Sequence, residues 1–302
     1  MSHETVYAIA SGKGGVGKTT TTVNLGTALA QAGKRVAIVD VDLGMANLAG
    51  FVSLSPDDVT LHDVLASTAT IEEATYRLAE NIVAIPSGTK LDEYAKTSPE
   101  GLREAIESLR DDFDYVLLDV GAGVSHETVL PLGLADAVLL ISTPEPASVH
   151  DAKKTIELTN SANGAVEGLV ITRTRPNGDV SYEEIADRLD LELLGTIPDD
   201  PAVRGSVYAG TPLVVHEPDS PAAIAYRELA VSLADLEISA EPDSKPEPDD
   251  DEAAEAPAGA VEHGSKPQSV GDGSDTETDE EGRAASHDDV SSAITEAESD
   301  SS

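Results

Sequence analysis

The run Gly12-Lys13-Gly14-Gly15-Val16-Gly17-Lys18-Thr19 constrains this chain more than any other eight residues in it. It fits the spacing G-x-x-x-x-G-K-[ST], with a second lysine, Lys13, inside the loop. Glycines at this density let successive backbone N–H groups turn inward around an anion. A lysine and a hydroxyl at the far end suit the terminal phosphates of a nucleotide and its Mg²⁺. The flanks agree. Thr5-Val6-Tyr7-Ala8-Ile9-Ala10 reads as a buried parallel strand. Lys18 to Ala32 reads as a helix with Val23, Leu25, Leu29 and Ala30 toward its buried side and Gly33 as its stop. Strand, glycine loop and helix in that order aim the positive end of the helix at the phosphates.

Further apolar runs recur at 36–39, 82–85, 115–118, 137–141, 168–171 and 193–197, with helical patterns at 99–111, 148–162, 181–189 and 221–236 between and after them. Alternation of this kind predicts an α/β fold of the P-loop NTPase type, a mainly parallel sheet of about seven strands with helices on both faces. In the last helix Ile224, Leu229, Leu233 and Leu236 are expected on the face that closes the domain. From about Ser239 the chain is Asp, Glu, Ser, Pro, Gly and Ala with almost no large apolar residue, a composition that cannot offset chain entropy. The expected organisation is a nucleotide-binding domain over 1–238 and a disordered acidic tail over 239–302.

The 302 residues include no cysteine, which excludes thiolate metal sites, Cys nucleophiles and disulfides. No run of eighteen apolar residues reads as a membrane span, and Met1-Ser2-His3-Glu4 does not begin like a secretory signal. A cytoplasmic protein is the expectation. The net charge is −38, of which residues 239–302, with 20 acidic and 3 basic residues, carry −17; the 37 acidic and 16 basic residues before them carry −21. An acidic body of this kind suits a cytoplasm at very high salt, where screening removes the self-repulsion.

Two more segments converge on the glycine loop. Val39-Asp40-Val41-Asp42 follows the second strand, and Leu117-Leu118-Asp119 ends another and runs on as Val120-Gly121-Ala122-Gly123. Parallel sheets bind ligands at the carboxyl ends of their strands, and an Asp there can hold Mg²⁺ through its water shell.

Taken together these segments resemble the MinD/ParA family of deviant Walker A ATPases, most closely its MinD branch, over residues 5–236. Lys13 to Thr20 is similar to the family's loop, Val39 to Leu48 to its first switch, and Asp119 with Ala122-Gly123 to its Walker B and second switch. Pro144 to Asp151 and Ile197-Pro198-Asp199-Asp200 through Val214 resemble two later nucleotide-side segments. The resemblance implies an ATP-dependent homodimer that hydrolyses ATP slowly and positions a cellular machine such as division, motility, chemosensory or shape components through an unidentified protein partner or cargo. It implies ATP and Mg²⁺ as cofactors. ATP would be cradled by Gly12, Lys13, Gly14, Gly15, Val16, Gly17, Lys18, Thr19 and Thr20, with Asn47 supporting the first switch and Arg173, Pro198 and Asp199 near the adenine. Lys18 would contact the phosphates, Lys13 would reach the partner subunit's nucleotide, and Asp42 would place the attacking water. Thr19 would ligate Mg²⁺, with Asp40 and Asp119 in its outer shell.

The chain also departs from the family. Gly121 stands where the family usually has Pro, and the end is acidic where division MinD proteins carry a basic amphipathic helix for membranes. Autonomous membrane docking is not expected. Direct DNA binding is not expected of a body at −21 either. Recruitment to a pole or membrane site would run through a partner. The competing reading is an ATP-dependent ligase of the dethiobiotin synthetase type, against which Lys13 stands.

Overall fold

The computed structural model describes residues 5–54, 59–89, 99–123, 126–176 and 181–234. The chain divides after Pro242, and all described residues belong to the first unit. The expected acidic tail, 239–302, and Leu236 lie outside the described residues.

Along the chain the elements are β1 (Thr5–Ala10), α1 (Lys18–Gln31), β2 (Val36–Asp40), α2 (Leu48–Phe51), α3 (Leu61–Leu65), β3 (Tyr76–Ala79) and β4 (Ile82–Ile85). Then come α4 (Pro99–Asp112), β5 (Tyr115–Asp119), α5 (His126–Leu134), β6 (Ala137–Ser142), α6 (Pro146–Ser161) and β7 (Val166–Thr174). The last are α7 (Tyr182–Leu189), β8 (Leu193–Pro198), α8 (Pro201–Ala209), α9 (Leu213–His216) and α10 (Pro221–Ala234). Among the described residues the sheet has eight strands, in the order β3-β4-β2-β5-β1-β6-β7-β8. Every neighbouring pair is parallel except β3 with β4. The fold is therefore the expected α/β P-loop architecture, with one strand more than the apolar runs show. That strand, Tyr76-Arg77-Leu78-Ala79, is a short antiparallel edge with alternate residues exposed, so it has no continuous apolar run to betray it.

Alternation along the strands builds a core on each face. Tyr7, Ile9, Ile38, Leu117, Leu139 and Ile141 meet α1 and α10 on one face. Their neighbours Val6, Ala8, Ala37, Val39, Val116, Leu118 and Val138 meet α3 and α4 on the other. Helix α1 is enclosed nearly all round: every residue from Thr21 to Ala30 is buried. Its polar members bond internally or to neighbours. The Thr27 hydroxyl donates to the Val23 carbonyl, and Asn24 accepts from the Val214 N–H.

Helix α10 buries Leu229 and packs Leu233 against the core as expected, but Ile224 departs from that face. Ala222, Ala223, Tyr226, Leu229 and Ala230 are buried, while Ile224 is 43% exposed. Alanines let α10 approach α1 closely, and the large Tyr226 fills the space between them, which turns Ile224 outward.

Candidate functional site

The site is built at the carboxyl ends of the central strands. The glycine loop leaves β1 and enters α1 through Gly17, whose φ of 101° lies in the left-handed region. No side chain caps α1 and its first turn holds no acid, so its leading N–H groups face whatever anion the loop surrounds. Gly12 has no room for a side chain, since a β-carbon there would collide with the carbonyl of Asp151 in α6. The loop is thus seated against α6 at one end and locked into the buried α1 at the other. It is held from above as well: the Thr172 hydroxyl donates to the Val16 carbonyl at 2.6 Å, and the Arg173 guanidinium donates to the Gly15 carbonyl at 2.5 Å.

Three carboxylates gather under the loop. Asp40 and Asp119 end adjacent strands and stand in register with each other. The Thr19 hydroxyl is placed to donate to Asp119 Oδ2 at 2.5 Å and to Asn47 Oδ1 at 2.9 Å, and the Thr22 hydroxyl reaches Asp119 Oδ1 at 3.3 Å. Asp40 accepts the backbone N–H groups of Asp42, Asn47 and Leu48, each at 3.1 Å, which folds residues 41–48 over the strand end. Burial pushes the Asp40 and Asp119 carboxyls upward from the ordinary carboxylate range. Lys18 is itself pulled below the ordinary ammonium range by burial, against the attraction of Asp119, Asp42 and Asp40. Thr19, Asn47, Asp40, Asp119 and Lys18, expected together from the sequence, are brought together here. Asp42 lies two residues past β2, half-exposed, with Oδ1 accepting the Met45 N–H at 3.1 Å.

Lys13 stands apart from this cluster. It is exposed on the rim of the loop. Its charge helps hold the Glu145 and Asp151 carboxyls below their ordinary range, after the larger effects of the Thr143 hydrogen bond and of Lys154 respectively. The two lysines of the motif therefore occupy opposite environments, one inside the phosphate site and one outside it.

Beside the loop opens a cavity of about 770 Å³, which runs from Val16, Gly17 and Thr20 to Arg173, Pro198 and Asp199. The three residues expected near adenine share its wall. The wall also includes Arg175, which pairs with Asp199 at 3.2 Å, and Tyr182, Arg204, Tyr208 and Tyr226. Arg204 and Tyr208 fall within the nucleotide-side segment expected from Ile197 to Val214 but were not singled out; Arg175, Tyr182 and Tyr226 were missed, because they sit on elements that carry no phosphate-loop motif.

The donor set suits Mg²⁺ with a nucleotide. Among the described residues no cluster of three His, Cys, Asp or Glu side chains forms an all-protein cage. Mg²⁺ with a nucleotide needs none: it keeps several waters and takes its remaining ligands from phosphate and one or two protein oxygens. Thr19 supplies the hydroxyl, and a divalent cation beside the paired buried carboxylates would favour their ionised form against the upward push of burial.

The comparisons with known proteins agree. Residues 7–213 match the family model described as the CobQ/CobB/MinD/ParA nucleotide binding domain. An uncharacterised ATP-binding protein of Methanocaldococcus jannaschii is 38% identical over 241 residues, covering 80% of this chain and 91% of its own length. The crystal structure of the Pyrococcus furiosus cell division ATPase MinD is 36% identical, with a TM-score of 0.73, covering 78% of this chain and all of that one. The septum site-determining protein MinD of Pyrococcus horikoshii, solved with Mg-ADP, is 34% identical with a TM-score of 0.72, covering 76% of this chain and 95% of its own. The nucleotide-binding description of the family model and the Mg-ADP held by the Pyrococcus horikoshii protein agree with the expectation of ATP and Mg²⁺ here. With the phosphate loop, the paired strand-end carboxylates and these relatives in agreement, the chain belongs to the MinD/ParA family of P-loop ATPases.

Proposed function

We propose that the chain is a MinD-type switch that dimerises around ATP, hydrolyses it slowly and so times the placement of a cellular component. The observation that supports this best is the contrast between its two loop lysines. Lys18 is drawn in among Asp40, Asp42 and Asp119, while Lys13 is exposed at the rim, where a second subunit could present its own nucleotide.

In this reading α1 and the loop hold the phosphates through backbone N–H groups and Lys18. Mg²⁺, bound by the Thr19 hydroxyl and held through water by Asp40 and Asp119, would supply neutralising charge to the terminal phosphates. Asp42 orients a water, whose oxygen bonds to the γ-phosphorus as the bond to the β–γ bridging oxygen breaks; the bridging oxygen leaves with ADP, and the water's proton passes to an oxygen of the released phosphate. Lys13 of the partner subunit stabilises the charge on the transferring group, so the reaction runs only in the dimer. The cargo belongs to the same class as that of the cell-division relatives, a component whose position matters. Among the described residues no helix is long and apolar enough to cross a membrane. A membrane or polar position would be reached through a partner protein, since the acidic end of the chain does not suit anionic lipid. Residues 239–302 act as a solvating spacer or docking segment.

The test is mass by light scattering in high-salt buffer with Mg²⁺, comparing ATP with ADP. The expected result is a monomer with ADP, a dimer with ATP, a persistent dimer for Asp42→Ala and none for Lys13→Ala. A mass that ignores the nucleotide would overturn the switch and favour a ligase on the same fold.

A further inference from the structure

Asp42 sits in a short stretch whose backbone is pinned on both sides. On one side the buried Ser87 hydroxyl donates to the Asp40 carbonyl at 2.7 Å. On the other, Nε2 of His62 lies 3.1 Å from the Leu43 carbonyl oxygen. A carbonyl oxygen only accepts, so this nitrogen carries the hydrogen. His62 is 1% exposed.

Both donors stand on one support. Ser87 follows β4, His62 is in α3, and the Leu61 N–H joins the two by donating to the Pro86 carbonyl at 2.9 Å. Helix α3 is fixed in turn by a capping box between Thr60 and Asp63. The imidazole has no space to retreat: a β-carbon on Gly88 would lie 2.6 Å from its Nδ1 and 3.2 Å from its Cγ.

The stretch needs this backing. Gly44, Met45 and Asn47 are exposed, and Met45 is 78% so. A side chain that must meet a reacting water within about 0.5 Å of its working position cannot rely on such a loop alone.

We propose that His62 is a positioning residue for ATP hydrolysis. Its Nε2–H and the Ser87 hydroxyl fix the backbone on either side of Asp42, and so set where that carboxylate meets the attacking water. The proposal rests on the reading of Asp42 given above. A histidine that only filled the core would affect melting and nucleotide binding together. A positioning residue affects kcat alone.

The experiment measures ATP turnover, ATP affinity and melting for the full chain with Mg²⁺. His62→Leu is expected to lower kcat about tenfold or more with KM for ATP within about twofold. His62→Gln, whose amide nitrogen can stand where Nε2 stands, is expected to recover most of the loss. Gly88→Ala, which crowds the ring, is expected to behave like His62→Leu. Adding His62→Leu to Asp42→Asn should slow turnover no further, because the two act as one unit.

If His62→Leu fails to fold, Ser87→Ala carries the test with the same expected split. Slow Asp42→Asn together with wild-type kcat in His62→Leu would overturn the positioning role alone. Parallel loss of kcat and affinity in His62→Leu, or no recovery with glutamine, would do the same. Normal turnover by Asp42→Asn would overturn the assignment of Asp42, and the positioning role with it.

Discussion

The carboxylate of Asp42 rests against the backbone of Gly121, so close that a β-carbon built on the glycine would meet Cγ and Oδ1 of Asp42 at 3.1 Å. The two proposed switch segments therefore touch at a point where this chain carries no side chain. The proline usual in the family at this place would claim that space. Gly121→Ala is expected to displace the carboxylate and reduce ATP turnover by about three- to tenfold, with ATP affinity nearly unchanged. Asp42 is half-exposed, and its carboxylate accepts a hydrogen bond, among the described residues, only from the nearby Met45 N–H, so melting should shift by no more than about 2 °C. Steady-state kinetics beside a thermal melt check both parts. An alanine variant with wild-type turnover would mean that Asp42 leaves this contact before it works.

Thr19 links two of the carboxylate cluster's neighbours at once, Asp119 at 2.5 Å and Asn47 at 2.9 Å. Thr19→Ala removes the proposed Mg²⁺ hydroxyl and leaves Asp119, among the described residues, with the Thr22 hydroxyl and the charge of Lys18. Affinity for Mg-ATP should fall at least about tenfold, the scale of a lost hydrogen bond to a charged group. Binding in excess EDTA should change much less. Titration of a fluorescent ATP analogue with and without Mg²⁺ separates the two. An equal loss in both conditions would place the hydroxyl's role elsewhere.

Tyr226 is 1% exposed between α1 and α10, and burial pushes its phenol up to about 12. Its oxygen lies 3.4 Å from the Thr21 hydroxyl, a long contact, so Tyr226→Phe should cost no more than about 1 kcal/mol. Tyr226→Ala leaves a cavity where the alanines of α10 approach α1, and about 3–5 kcal/mol is the expected loss. Urea unfolding of the two variants measures the gap between them. Similar values for both would mean that the ring is not the wedge described above.

At the opposite end of the sheet the Arg35 guanidinium donates to Asp114 at 2.8 Å, and this bond first of all holds the carboxyl below its ordinary value of 3.8. A depressed carboxylate stabilises the fold fully above its unfolded pKa, and the gain disappears as pH falls through the folded pKa. The arginine side chain is 51% exposed, so solvent limits the effect to about 0.5–1 kcal/mol. As pH falls from 6 through the ordinary value of 3.8 and on below the depressed folded value, the wild type should lose up to that much more stability than Asp114→Asn. Identical acid curves would show that the pair contributes nothing.

Much of this was legible in the sequence, and the reasons are local. Gly12 to Thr19, Asp40 and Asp119 were readable because a phosphate loop and strand-end acids depend on neighbours in the chain. The parallel strands were readable because burial on both faces leaves unbroken apolar runs. β3 was not, since an edge strand buries one face and shows no such run. α2, α3 and α9 span only four or five residues, too few for a helical period to appear, and α5 carries Pro131 inside it. His62 and Ser87 were invisible for another reason. Each serves residues 19 and 47 positions away, and the link exists only once β2, β4 and α3 have packed. Ile224 misled for the same reason: its period suited the core, but the alanines around it decided which face of α10 lay against α1.

The enclosure of α1 divides the site by mechanical character. A loop that ends in a helix buried on every side cannot loosen without opening the centre of the molecule. Nucleotide binding should therefore raise the melting of the whole described body rather than tighten a local segment. The loop is a fixed floor, ready before ligand arrives. Whatever tells ATP from ADP is expected in the segments beside it, residues 41–47 and 120–123, where Gly44, Met45, Asn47 and Ala122 are exposed. A probe placed in α1 should be silent through the reaction cycle, and one at Met45 should report every turn of it.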